Sequence, residues 1–274
     1  MNFVEKLKKA QSLNKSSLVV GLDIDEAKIP SFLKETEKEP LLVFLKGIID
    51  ATKNHVCAYK PNIAFYEALG DYGMELLKQT LAYIPENIPV ILDVKRGDIG
   101  NTAKMYAKAA FEELNVDSVT LAPYMGSDSI VPFLEYKDRY SFVLVLTSNP
   151  SSKELEMIKT NDDKYLFQKT AELVSGWDKD FNNCGAVMGA TNPDYFDLVE
   201  EELINSYILV PGIGAQGGKV SDILTANKKG KDRYLFNVSR GVTYASSKED
   251  YIQVAEAKAI EYKTEINSYL WTKK

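Results

Sequence analysis

The chain has 274 residues, 45% of them hydrophobic, which is long enough to bury a large core. Its formal net charge of −6 argues against a nucleic-acid partner and against a membrane surface bound through clustered basic residues. The single histidine, His55, excludes a histidine-rich zinc site and would have to carry any Ser/His/Asp triad alone. We therefore expect catalysis, if present, to depend on lysines and carboxylates.

The start of the chain and the cysteines indicate a cellular location. Residues 1–17, MNFVEKLKKAQSLNKSS, contain no apolar run long enough for a signal peptide or a membrane anchor. Cys57 and Cys184 have neither a disulfide-type nor a metal-type spacing. We expect a cytoplasmic protein in a reducing compartment, with no membrane span.

Eight short apolar or β-branched runs recur along the chain, separated by stretches with helical periodicity. Their starts lie roughly 30 residues apart, the length of a strand–helix unit. The main predicted helices are 64–84, 101–115 and about 248–270. The predicted strands are 17–23, 56–62, 89–95, 118–123, 141–148, 184–191, 207–212 and 234–240.

This repeating pattern predicts an α/β fold, a single (β/α)8 TIM barrel formed by one domain over residues 1–274. A doubly wound open sheet is the competing architecture. It usually needs fewer strands, and no GxGxxG motif follows the first strand here. In a barrel, functional residues lie at the carboxyl ends of the strands and in the loops that follow them.

Charged residues lie at the carboxyl ends of the first three predicted strands. Asp93 and Lys95 in DVKRGDIGNT (93–102) are two positions apart, so on a strand they share a face. A buried carboxylate and ammonium are costly unless they are paired or functional. Lys60, in YKPN, and Asp23 add charges at the same barrel mouth. A structural ion pair at a strand end is the alternative interpretation.

A candidate anion site follows the last two predicted strands. PGIGAQGG (211–218) comes after the seventh strand, and NVSRG (237–241) closes the eighth. Glycines let backbone amides approach a phosphate, and Arg240 adds a forked, charge-assisted contact. Gln216 lies within the first loop, so that 212–219 would form a mobile lid over the ligand. These loops are the usual phosphate position in a TIM barrel.

At these residues the chain resembles the orotidine 5′-phosphate decarboxylase family over nearly its whole length. Asp93, Lys95, Asp98, Ile99 and Thr102 match the family's DxKxxD signature. Further family motifs occur in the family's order: GLD, KPN, TSNP, PGIGAQGG and SRG. The segments KPNIAFYEALG and DVKRGDIGNTA resemble the longer bacterial (type 2) branch of the family.

The resemblance implies decarboxylation of orotidine 5′-monophosphate (OMP) to UMP, with no metal and no organic cofactor, by a homodimer with shared active sites. Lys95 would stabilise and then protonate the C6 carbanion. The implied catalytic residues are Lys60, Asp93 and Lys95, with Asp98 from the neighbouring subunit. The implied substrate-binding residues are Asp23, Ser148, Pro211, Gly212, Gly214, Gln216, Arg240 and Gly241, with Thr102 from the neighbouring subunit.

Three alternatives stay open at this point. A metal-dependent sugar-phosphate decarboxylase or aldol-type synthase shares the barrel and the DxKxxD strand, but it holds a metal among carboxylates, and Lys60 disfavours a cation there. A Schiff-base aldolase would use Lys60 or Lys95 as its nucleophile. A non-catalytic phosphate-binding barrel would leave the charge array unexplained.

Overall fold

Eight parallel strands form one sheet in the computed structural model, which describes residues 1–214, 217–226 and 231–270. Neighbouring strands follow the order β2-β1-β8-β7-β6-β5-β4-β3. The strands are β1 (Leu18–Gly21), β2 (Ala58–Lys60), β3 (Ile91–Arg96), β4 (Ser118–Leu121), β5 (Tyr140–Leu146), β6 (Cys184–Met188), β7 (Ile208–Val210) and β8 (Tyr234–Val238).

The sheet closes on itself between its two terminal strands. Parallel bridges pair Tyr59 with Val90 and Asn62 with Asp93, and the Asp93 amide donates to the Pro61 carbonyl at 2.9 Å. These contacts join β2 to β3, so the strand order is that of a closed barrel. The predicted TIM barrel is therefore confirmed, and the open doubly wound sheet was the wrong alternative.

Helices alternate with the strands. They are α1 (Phe3–Asn14), α2 (Ser31–Thr36), α3 (Pro40–Thr52), α4 (Ile63–Glu67), α5 (Gly70–Tyr83), α6 (Gly100–Lys108), α7 (Val131–Leu134), α8 (Leu166–Phe181), α9 (Val220–Ala226), α10 (Arg240–Thr243) and α11 (Tyr251–Leu270). The helix predicted at 64–84 is two helices, because the chain turns at Gly70, whose φ of +63° is left-handed. The helix predicted at 101–115 is α6, continued by a π-helix over Ala109–Glu113.

The amino-terminal end of the barrel is covered by α1. Phe3 stacks on Tyr140 at a centroid distance of 5.0 Å and meets Phe142 edge-on at 5.9 Å. Phe3 and Leu7 belong to a buried cluster with residues that point into the barrel, including Leu209 and Phe142. This end is therefore filled with apolar side chains, and the opposite, carboxyl end is where a cavity opens.

The longest helix, α11, lies against the outside of the barrel. It buries Ala255, Ala259 and Ile266 and carries charged residues between them. This alternation is that of an amphipathic helix on a protein core. Within the described ranges of the chain, no helix is both long and apolar enough to cross a membrane.

Candidate active site

A cavity of about 540 Å³ opens at the carboxyl ends of the strands. All but one of the eight strands, or the loops that directly follow them, contribute residues with polar side chains or glycine to its wall. The lining includes Asp23, Lys60, Asn62, Asp93, Lys95, Thr120, Thr147, Ser148, Asn149, Glu156, Pro211, Gly212, Asn237, Ser239 and Arg240. The expectation that charges converge on one barrel mouth is therefore confirmed for Asp23, Lys60, Asp93 and Lys95.

Two lysines share one carboxylate at the centre of this cavity. Lys60 Nζ lies 2.8 Å from Asp93 Oδ2, and Lys95 Nζ lies 2.6 Å from Asp93 Oδ1. The side chains of Lys60 and Asp93 are buried, whereas that of Lys95 is 49% exposed toward the cavity. Lys95 is thus the member of the cluster that a ligand in the cavity would meet.

Electrostatics keep Asp93 and Lys60 charged. Burial by itself raises the pKa of the Asp93 carboxyl, but the ammonium groups of Lys60 and Lys95 outweigh burial and hold that pKa well below its usual range. Burial by itself lowers the pKa of Lys60. The negative charge of Asp93 and, to a smaller extent, that of Asp23 raise it, and the net effect is a raised pKa. The buried pair of Asp93 and Lys60 therefore carries fixed charges near neutral pH.

The backbone of β3 is irregular where it presents Lys95. Lys95 has a left-handed φ of +45°, and the pairing of β3 with β4 shifts register between Leu92 and Arg96. Such a conformation is costly for a residue with a side chain and is concentrated at functional sites. The Lys95 amide donates to Thr120 Oγ1 at 3.0 Å, which gives the irregular residue a partner on β4.

Asp23, just after β1, is held from the end of β8. Ser239 Oγ donates to Asp23 Oδ2 at 2.7 Å, and Tyr244 Oη donates to the Asp23 carbonyl at 2.8 Å. Asp23 Oδ1 is buried at the cavity wall and has no hydrogen-bond partner among the described residues. A buried carboxylate oxygen without a donor is costly, so this atom is suited to accept from a ligand hydroxyl.

The loop after β7 contains the glycine-rich segment. Gly212 and Gly214 have positive φ angles of +96° and +72°, and Gly218 donates to the Gly212 carbonyl at 3.1 Å. Pro211 and Gly212 line the cavity. Gln216, predicted to bind the ligand, lies outside the described residues, as does the central part of the predicted 212–219 lid.

Arg240 begins α10 directly after β8 and lines the cavity beside this loop. Gly241 follows it, and a side chain at either Gly214 or Gly241 would come within 2.6 Å of the Tyr262 hydroxyl of α11. The two glycine positions therefore flank the same tyrosine. This proximity brings the β7 and β8 loops together, as expected for a shared anion site.

Asp98 and Thr102 do not line the cavity of their own barrel. Asp98 Oδ1 accepts from the Ile99 amide at 2.8 Å, and Thr102 is exposed on α6. Large exposed apolar side chains surround this region, both around α6 and after β4. They are Ile99, Met105, Tyr106, Tyr124 and Met125.

The residues that could bind a metal are few. In the described ranges, no group of three or more His, Cys, Asp or Glu residues has the arrangement of a metal site. Both oxygens of Asp93 already accept hydrogen bonds from lysine ammonium groups. A cation at this carboxylate would have to displace them.

Four polar residues of the site were not singled out from the sequence: Thr120, Asn149, Glu156 and Asn237. Ser118 and Thr120 share one face of β4, so a polar residue one position before the strand end was a detectable signal. Glu156 lies in the long segment between β5 and α8, where no periodicity marks its role. Ser239 and Thr147 lie at the ends of the predicted strands 234–240 and 141–148, but no role was predicted for either.

The comparisons with known proteins agree with this architecture. The family described as orotidine 5′-phosphate decarboxylase / HUMPS matches residues 16–255. The orotidine 5′-phosphate decarboxylase of Herpetosiphon aurantiacus is 45% identical over 257 residues, covering 94% of this chain and 95% of that protein. The OMP decarboxylase structure of Leishmania donovani has a TM-score of 0.86 at 36% identity, covering 99% and 100% of the two chains. The Leishmania donovani UMP synthase structure has a TM-score of 0.88 at 38% identity, and the match covers 100% of this chain and 57% of that one.

Proposed function

The chain belongs to the orotidine 5′-phosphate decarboxylase family, and we propose that it converts OMP to UMP and CO2 at the cavity around Lys95, as a step of pyrimidine biosynthesis. The observation that carries this proposal is the cluster of Lys60, Asp93 and Lys95 at the barrel mouth. The cluster fixes a cation beside a carboxylate in a confined site, which is what this reaction requires.

The chemistry follows from where charge develops. When the bond from C6 to the substrate carboxylate breaks, the electron pair stays on C6 and CO2 departs. The Lys95 ammonium, held by Asp93, stabilises this carbanion without any reorganisation of solvent. Lys95 then transfers a proton to C6, giving UMP, and is reprotonated from solvent. Asp93 and the buried Lys60 orient Lys95, and no metal or organic cofactor takes part in the proposed step.

The rest of the substrate is proposed to lie along the cavity wall. Asp23 would accept from a ribose hydroxyl through its unpaired Oδ1, and Ser148 would bind the pyrimidine ring. Pro211, Gly212, Gly214, Gln216, Arg240 and Gly241 would bind the 5′-phosphate. Binding energy from this remote phosphate would then help to exclude water from the reacting carbon.

We further propose a homodimer in which Asp98 and Thr102 serve the neighbouring active site. Neither residue lines the cavity of its own barrel, and exposed apolar side chains lie on the same part of the chain. Contiguous exposed apolar surface commonly marks an interface with another protein. Tyr124, which is 84% exposed, is the most exposed of these side chains.

The proposal also covers the domain organisation and the cellular location of the protein. We propose that residues 1–274 work as one domain, because α1 and α11, near the two ends of the chain, both pack on the same barrel. A cytoplasmic location is proposed on the two cysteines, Cys57 and Cys184, which are buried free thiols.

The test is a spectroscopic assay of the purified protein. On addition of OMP, we expect the orotate-type ultraviolet absorbance to fall as UMP forms. An absorbance that stays constant would contradict the proposal. Turnover that persists in EDTA separates this function from the metal-dependent synthases, and the absence of a borohydride-trapped adduct separates it from the Schiff-base aldolases.

A further inference from the structure

The segment between β5 and α8 returns a carboxylate, Glu156, to the cavity wall beside Thr147 and Ser148. We infer that Glu156 is a positioning residue for the base-binding end of the site. By fixing Thr147, it determines where Ser148 meets the pyrimidine ring. This inference rests on the proposed function, and it assigns a role to a residue outside the catalytic cluster.

The contacts of Glu156 are directed at a single residue. The Thr147 amide donates to Glu156 Oε2 at 2.8 Å, and the Thr147 hydroxyl donates to Glu156 Oε1 at 2.7 Å. Both carboxylate oxygens are therefore engaged with the residue directly before Ser148. Hydrogen bonds to an ionised carboxylate are stronger than those between neutral groups, so this contact holds Thr147 firmly.

Glu156 is itself anchored through its backbone. Its amide donates to the Ser152 carbonyl at 2.8 Å, and its carbonyl accepts from the Phe167 amide at 3.0 Å. Phe167 is fully buried in α8, so the carboxylate extends from a fixed base. The side chain therefore ties the β5–α8 segment to the end of β5.

The loop after β6 holds the same dipeptide from its other side. Asn192 Nδ2 donates to the Thr147 carbonyl at 3.1 Å, and Thr191 Oγ1 donates to the Ser148 carbonyl at 3.0 Å. A side chain at Gly189 would come within 2.6 Å of the Ser148 amide nitrogen, so the two backbones are in direct contact. Thr191 and Asn192 thus fix the carbonyls, while Glu156 fixes the amide and the hydroxyl.

Removing the Glu156 carboxylate should weaken the binding of the base end of the ligand only. Without Glu156, the partly buried Thr147 amide loses its acceptor, and the dipeptide that carries Ser148 is held through its carbonyls but no longer at the Thr147 amide. The proposed phosphate site lies on β7 and β8, and β6 separates β7 from β5 in the barrel. Binding of the base should therefore weaken, while binding of the phosphate should not.

The experiment compares Glu156→Ala, Glu156→Gln and the control Glu154→Ala. Glu154 is exposed in the same segment and gives the same change of charge. Calorimetry measures binding of UMP and of ribose 5-phosphate, which lacks the base, and steady-state assays give kcat and KM for OMP. The wild-type assay tests the proposed function independently.

For Glu156→Ala, we expect UMP binding to weaken about tenfold, because Thr147 loses both of its hydrogen bonds to the carboxylate. Ribose 5-phosphate binding should stay within about twofold, and KM should change more than kcat. Glu156→Gln keeps an acceptor for the Thr147 amide and a donor for its hydroxyl, so it should restore UMP binding. Glu154→Ala should match the wild type.

Equal weakening of both ligands in Glu156→Ala would overturn the inference, because it would indicate a general disturbance of the barrel mouth. Unchanged UMP binding in that variant, or no restoration by Glu156→Gln, would also overturn it. A wild-type protein that does not consume OMP would overturn the proposed function and this inference together. An active wild type with an unaffected Glu156→Ala variant would overturn the inference alone.

Discussion

Thr120 on β4 donates a hydrogen bond of 2.8 Å from Oγ1 to Asp93 Oδ1 on β3. The same oxygen accepts from the amides of Val94, at 3.1 Å, and Lys95, at 3.0 Å. One hydroxyl therefore fixes both the central carboxylate and the irregular backbone that presents the proposed catalytic lysine. Thr120 is itself only 1% exposed, so solvent does not readily replace these contacts.

Thr120→Val should destabilise the fold and slow turnover. The substitution keeps the shape of the side chain but leaves Asp93 without one donor and two amides without an acceptor. We expect the free energy of unfolding to fall by about 2 kcal/mol, typical of unsatisfied buried polar groups. We expect kcat to fall at least about tenfold, because Lys95 is no longer held in one geometry.

Urea denaturation and steady-state kinetics measure the two effects of Thr120→Val. Thr120→Ser is the matched control, because it keeps the hydroxyl and removes only the methyl group. A Thr120→Val variant as active as Thr120→Ser would contradict the role assigned to the hydroxyl.

Asp93→Asn should destabilise the protein in a manner that depends on pH. The variant leaves the buried Lys60 ammonium without its carboxylate, a loss of about 3–5 kcal/mol for a buried pair. Asp93 has a lowered pKa, so its contribution is present above the ordinary carboxyl pKa near 4 and is lost as pH falls below it. Lys60 has a raised pKa, so its contribution is present below about pH 10 and is lost as pH rises further.

The difference in the free energy of unfolding between the wild type and Asp93→Asn should therefore be largest between about pH 5 and pH 10. Chemical denaturation across that range and on both sides of it measures the difference. A constant difference from pH 3 to pH 8 would show that Asp93 is not held ionised by the two lysines.

The barrel could be predicted from the sequence because hydrophobic periodicity reports which residues are buried. The ends of the strands could not, because pairing stops where a loop leaves the sheet, and periodicity does not detect that point. The second strand was predicted at 56–62, for example, and is Ala58–Lys60, ended by Pro61.

The central ion pair was predicted from spacing on a regular strand, and Asp93 and Lys95 do meet. The left-handed backbone of Lys95 was not predictable, because it depends on a partner on another strand, Thr120. Glu156 was missed for a similar reason. Its contact with Thr147 joins residues nine positions apart through a segment without regular periodicity.

Lys95→Ala should abolish turnover and leave UMP binding largely intact. The substitution removes the proposed cation and proton donor, while Asp23, Ser148 and Arg240 stay in place to bind the product. We expect kcat to fall by several orders of magnitude, as for loss of a group that acts in the transition state. The absorbance assay and UMP calorimetry provide the two readouts.

Lys179→Ala is the control for this substitution, because Lys179 is an exposed lysine on α8, outside the cavity. It should be as active as the wild type. Near-wild-type turnover in Lys95→Ala would refute the assignment of the catalytic residue.

Arg240→Ala should mainly weaken the binding of phosphorylated ligands. Arg240 begins α10 beside the β7 loop, and a guanidinium–phosphate contact is charge-assisted. We expect KM for OMP to rise by about one to two orders of magnitude, whereas binding of uridine, which lacks the phosphate, should not change. An unchanged KM would argue against the phosphate placement.

A mixture of two inactive variants tests the proposed shared site. Asp98 and Thr102 lie outside their own cavity, so Asp98→Ala should inactivate the neighbouring site, whereas Lys95→Ala inactivates its own. In a mixed dimer, one of the two sites then contains both Lys95 and Asp98. If the subunits exchange at random, half of the dimers are mixed, and about a quarter of wild-type activity should return. Sedimentation establishes the dimer, and differently tagged subunits measure the exchange. Complete exchange without any recovery of activity would show that Asp98 does not act across the interface.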